Sequence, residues 1–280
     1  FALAQAQLAA LFMQSIVYGI HMVTFAACIS SWFRRPSGSR SSVRWMVVAV
    51  AFFVIGTCDV SFNFYHNILA FIDYKGSGGA NAEFQDASSW VNVMPSVWFY
   101  LNAALSDAVL IYRCWIVYSR SRYRALLTGA LAVFWLACVT CATMIVYYLS
   151  TLHVDSPIPE IPELQPFLYS FYIITVILNL FTTGCIIMKL WKVHARTASA
   201  FPRSSRVSRR LGFKDVTLII VESALLYTVT VALCIILDLA KTNVYYGITD
   251  ISLEVAGISF DLIIIRIWTG VSAEQTQAFA

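Results

Sequence analysis

Three carboxylates stand where carboxylates are expensive. Asp59, Asp107 and Asp261 each lie inside a long apolar run. A charged side chain at membrane depth costs several kcal/mol, so it turns toward protein or water and takes a partner. Asp59 opens a polar stripe with Asn63, His66 and Asn67. Residues three or four apart share one helix face, so this stripe lines the interior of a bundle. Asn102 and Ser106 likewise share a face of the run that holds Asp107. Acids at similar depth with no base beside them call for a bound cation, a retained proton or water. Asp59, Asn63, His66, Asn102, Asp107 and Asp261 are therefore the candidate ligand- or ion-binding residues. The plainer alternative is hydrogen bonding between helices.

A second set lies closer to the other membrane face. Arg113, Glu222 and Arg266 are embedded in three different apolar runs. A deep arginine needs a carboxylate, and Glu222 is the acid at comparable depth. The expectation is an Arg113–Glu222 pair with Arg266 nearby, able to act as a conformational switch. The alternative is that both arginines extend to the headgroups.

Other chemistries find little material. The four histidines (His21, His66, His153 and His194) show no metal-ligand spacing, and there is no H-E-x-x-H or G-x-S-x-G. The seven cysteines all fall in apolar runs and read as packing residues, the C-x-x-C at Cys138 and Cys141 included. The last apolar run has no lysine for a retinal Schiff base. The expectation is a protein that is not an enzyme, with no cofactor, no metal and no nucleic-acid partner.

The elements that position these residues follow from composition. The 280 residues are 59% hydrophobic and 12% charged, against roughly 25% charged in soluble domains. Mean hydropathy is +0.73. A spanning helix needs about 20 apolar residues. Seven runs qualify, at 5–33, 45–72, 95–118, 125–150, 167–191, 215–239 and 250–271. They are continuous and do not alternate, so the fold class is all-α, one seven-helix transmembrane domain, and not a β-barrel. All seven prolines fall in gaps or at span ends, which predicts straight helices.

Charge sets the orientation. Fifteen of the nineteen Lys and Arg residues lie in gaps one, three and five. Gaps two and four are acidic or neutral. The positive-inside rule places the N-terminus outside and the C-terminus in the cytoplasm. Gap two carries KGSGGAN, flexible by composition. Gap four carries PIPEIPELQP, which favours extended backbone. The basic, Ser-rich loop at 192–214 suits anionic headgroups or a docking partner.

The segments SDAVLIYRCWIVY (106–118) and GISFDLIIIRIWTG (257–270), with QAQLAALFMQSIVYGI (5–20), resemble a family of seven-helix membrane proteins of mushroom-forming fungi. The similarity runs the length of the chain. It implies a topology with G-protein-coupled-receptor-like architecture and little chemistry. Rhodopsin-type receptors carry an acid-arginine-aromatic triplet ending helix three; Tyr112-Arg113-Cys114 matches it only at the arginine. Asp59 fits their acid in helix two. There is no N-P-x-x-Y in the last span, and no cysteine for their outer disulfide.

Two functions follow as expectations. One is a receptor-like sensor in the plasma membrane. Its ligand enters among aromatic residues such as Trp98, Phe99, Tyr100, Tyr172, Tyr245 and Tyr246, and a G protein or other signalling partner docks at the 192–214 loop. The other is a proton- or ion-coupled transporter using the mid-membrane carboxylates.

Overall fold

The computed structural model describes residues 3–33, 40–76, 79–85, 90–119, 121–151, 164–200 and 228–278. Among them the chain forms eight helices in order. α1 spans Leu3–Phe33 and α2 Arg40–Ile68, the latter prolonged by a π-turn at Leu69–Asp73. The short α3 (Ala80–Gln85) precedes α4 (Trp90–Val117), α5 (Arg124–Thr151) and α6 (Gln165–Ala200). α7 is described over Thr228–Leu239, and α8 runs Val244–Ala278.

Five helical segments are long and apolar enough to cross a membrane: Leu3–Phe33, Val43–Asp73, Trp90–Val117, Arg124–Thr151 and Gln165–Lys189. Their surfaces are inverted relative to a soluble bundle. Phe12, Val23, Val133 and Leu126 are each about two-thirds exposed or more, whereas Gln14, His21, Asp59 and Glu254 are at most 1% exposed. Apolar outside and polar inside is the arrangement lipid demands, as expected of a helical membrane protein. The apolar part of α8 carries three acids, Asp250, Glu254 and Asp261, which lower its hydropathy. They are also what it brings to the interior.

α8 lies along α1 over the most extensive helix interface, and α2 packs against both. α4 is central and touches α2, α5, α6 and α8. α1, α4, α6 and α8 start at one end of the bundle, here termed the first end. At that end Tyr100, Phe171, Tyr172 and Tyr245 form a core with Leu168 and Cys234. Toward the opposite end, Phe52, Phe260, Ile264 and Trp268 pack with Cys28 and Val109. The cysteines are free thiols.

Two local expectations change. Pro95 does not stand at a span end: it lies inside α4, which begins at Trp90, with Val91 and Val93 buried in the core. At this second-turn position a proline removes the helical hydrogen bond that the N–H would make to the Val91 carbonyl. The segment after the glycines of gap two is not wholly loose. Gly79, at φ 60°, turns the chain into α3, and the Ala82 N–H donates to its carbonyl. Phe84 then packs on Leu3, Ala4 and Ala70. The Asn81 Oδ1 accepts the Ala4 N–H at 2.9 Å and so caps α1. Asn81→Ala should lower thermal stability by about 1 kcal/mol and speed amide exchange over the first turn of α1. Unchanged exchange there would remove the cap from the account.

Candidate functional site

Along the α1–α2–α8 seam the buried polar side chains form one column. α1 supplies Gln14 and His21, each two turns from the next, with Thr24 beside them. α2 supplies Asp59 and Asn63. α8 supplies Glu254 and Asp261, again two turns apart. α1 and α8 run parallel, so a seven-residue spacing on each brings the same faces together repeatedly.

His21 is the centre. Its Nδ1 lies 2.5 Å from Glu254 Oε2, and its Nε2 lies 3.8 Å from Asp261 Oδ2. Thr24 Oγ1 donates to Asp261 Oδ2 at 3.4 Å and to the His21 carbonyl at 3.0 Å. Two turns toward the first end, Gln14 Nε2 donates to Asp59 Oδ2 at 2.6 Å, and Asn63 Nδ2 donates to Gln14 Oε1 at 3.0 Å. Asp59 lies within electrostatic reach of Glu254 and Asp250. The lipid side of the column is closed by aromatic rings. Phe53 stacks on Phe25 at 4.2 Å and on Tyr18 at 6.1 Å, and meets His21 edge-on.

Glycines make room for the column. A Cβ on Gly56 would stand 2.7 Å from Glu254 Oε1, and one on Gly257 would overlap the His21 ring. Only a residue without a side chain lets α2 and α8 approach that closely.

The expectation of acids without a base at mid-depth is thus corrected: His21, from α1, stands between two of the carboxyls. The column and its mouth hold four carboxyls (Asp59, Asp250, Glu254 and Asp261), of which Glu254 and Asp261 meet the His21 imidazole. With all of them ionised, the net negative charge in a dry interior would be very costly. Protons or a cation must balance it. Among the described residues, no three His, Cys, Asp or Glu side chains are grouped to hold a metal ion. The arrangement suits proton holding and charge-assisted hydrogen bonding.

The other candidates separate. Asn63, His66 and Asn67 are buried on the stripe with Asp59. Asn102 Nδ2 donates to the Leu253 carbonyl at 3.2 Å and ties α4 to α8. Asp107 is 1% exposed, and neither of its oxygens meets a hydrogen-bond partner among the described residues. Arg113 lies over two rings, 5.1 Å from Phe260 and 5.4 Å from Trp45. Glu222 lies outside the described residues, as does most of the 192–214 loop. Arg266 is on the exposed face of α8.

At the first end the column opens into a cavity. Asp250, His66, Asn63, Phe99, Tyr100 and Tyr246 line it. Tyr245 also reaches it, with its hydroxyl 2.7 Å from that of Tyr172. Trp98 packs on Phe62 at 6.0 Å and is not among the cavity's lining residues. Toward the opposite end the column runs into Phe52, Phe260 and Trp268 with Trp45 packed on them, and Arg113 lies against two of these rings.

Gln14 and His21 escape a reading that looks for clusters within one helix, since each stands nearly alone in its run. Asp250 and Glu254 are four apart and share a face of the last run, a signal the sequence does carry. The signal linking the two runs is the matched heptad: Gln14, His21 and Cys28 in the first span, and Gly247, Glu254 and Asp261 in the last.

No protein-family model, no curated protein and no solved structure matches the chain.

Proposed function

We propose that the chain is a seven-helix, receptor-like membrane protein of the plasma membrane, with its N-terminus outside and its C-terminus in the cytoplasm. A ligand enters from outside. The basic inner loops, that at 192–214 above all, engage a cytoplasmic signalling partner such as a G protein. One observation carries this reading: the cavity at the first end meets a buried acid–imidazole column that ends against packed aromatic rings. A ligand altering hydrogen bonds at the cavity floor would bias the column, and through Phe260 the seat of Arg113. The sorting of basic residues and the resemblance to the fungal seven-helix family point the same way. Arg113 is the switch residue, moving between its aromatic seat and an acid partner, for which Glu222 is the candidate. A switch of this kind needs two packings of similar energy.

A proton- or ion-coupled carrier is the second reading, favoured by the row of carboxyls itself. Such a carrier must open the column alternately to both sides. The aromatic packing at its inner end favours the sensor.

The test is capture of the solubilised protein from its native membranes. A G-protein α subunit should be retained, be released by a GTP analogue, and be lost with Arg113→Gln. No nucleotide-sensitive partner in a preparation that stays folded would shift the account to the carrier.

A further inference from the structure

We infer that the cavity at the first end is a binding site for a small organic cation, an amine or quaternary ammonium. The inference rests on the sensor reading only in that a ligand reaches the cavity from outside.

Charge argues first. Among the described residues lining the cavity there is one carboxyl, Asp250, and no lysine or arginine. Two further acids stand behind it, since Asp59 lies within electrostatic reach of both Asp250 and Glu254. An anion would meet only repulsion here. A neutral polar ligand could take the hydrogen bonds but would gain nothing from the field. A positive charge gains from Asp250, and more so in a space shielded from water.

Shape and lining argue second. Phe99, Tyr100, Tyr245 and Tyr246 bring aromatic rings to the same cavity as Asp250. Ring faces attract cations within about 6 Å, and several rings around one acid form the arrangement that recognises ammonium groups. The rings are held firmly. Tyr100 packs edge-on to Phe171 at 4.9 Å, and Tyr245 is fixed by the hydroxyl of Tyr172.

An unused polar atom argues third. His66 lines the cavity, is 4% exposed, and packs at a tilt against Phe84, with ring centroids 4.6 Å apart. Its Nε2 has no hydrogen-bond partner among the described residues. A buried ring nitrogen left unpaired costs free energy, and a ligand N–H or O–H would satisfy it. Asp250 would hold the charge, the rings its alkyl groups, and His66 a second polar atom of the ligand.

The experiment uses the purified full chain in lipid nanodiscs. Thermal midpoints are read with methylammonium, tetramethylammonium and choline, and with 3,3-dimethylbutan-1-ol, the neutral isostere of choline. At least one cation should raise the midpoint and the isostere should not. Asp250→Asn should weaken that cation's binding by about tenfold to a hundredfold. Because Asn63 hydrogen-bonds to Asp250 and Asp250→Asn risks disturbing it, Phe99→Leu serves as a second variant. It should weaken the cation roughly threefold to tenfold while leaving the fold intact. Equal stabilisation by the isostere, or no shift with any of the three cations on folded protein, overturns the inference. Nucleotide-sensitive capture of a partner would be untouched by that failure, so the two results are separable.

Discussion

Replacing His21 by leucine should be the most damaging single change in the column. It removes the partner of Glu254 and the nearest base to Asp261 in one step. Two magnitudes compete. Hydrogen bonds between membrane helices average only about 0.6 kcal/mol, because the unfolded chain in lipid also finds partners. Breaking a buried ionic pair by deleting one member costs about 3–5 kcal/mol, because a charge is left behind. The 2.5 Å contact between His21 and Glu254, both at most 1% exposed, belongs with the second. The thermal midpoint should fall by roughly 10 °C. His21→Leu combined with Glu254→Leu should recover most of the loss, since both the charge and its partner are then gone. A single variant that melts within a degree or two of the parent would mean that the pair is a weak neutral hydrogen bond.

Gly257→Ala should separate α1 from α8. The added methyl lands on the His21 imidazole, and the ring cannot swing away while Glu254 and Asp261 hold it. Overpacking of this kind costs about 1–3 kcal/mol, and loss of the His21 contacts adds to it. Gly56→Ala presses on the Glu254 carboxyl and should act in the same direction. Gly184 is the control, because nothing lies within 4 Å of where its Cβ would stand. Gly184→Ala should be neutral or stabilise by up to about 1 kcal/mol. Thermal unfolding of the three variants side by side decides this. Similar behaviour of Gly257→Ala and Gly184→Ala would show that the close approach of α1 and α8 is not needed.

What could be read in the sequence follows from how each signal is distributed. The stripe Asp59–Asn63–His66 was legible because its spacing lies within one helix. Helix positions were legible because lipid imposes a long apolar run on every span, and α1, α2, α5 and the start of α6 lie close to the expected limits. The start of α4 was not, since Pro95 reads as a boundary and acts as a second-turn residue. His21 and Glu254 were not singled out, because each acquires meaning only from the other helix. A lone histidine in an apolar run looks like packing until a parallel helix brings an acid to the same level. The matched seven-residue spacing of Gln14–His21–Cys28 and Gly247–Glu254–Asp261 would have linked them. The cavity depends on four long helices and α3; its aromatic residues were legible as a group, but their meeting with Asp250 and His66 was not.

The most direct test of a column open only at the first end is proton flux across a sealed membrane. Purified protein in liposomes, under an imposed pH gradient, should dissipate the gradient no faster than protein-free liposomes. Parent and His21→Leu should then be indistinguishable. A steady flux in the parent that His21→Leu abolishes would contradict the sensor, and would make the acids and the imidazole a conducting path.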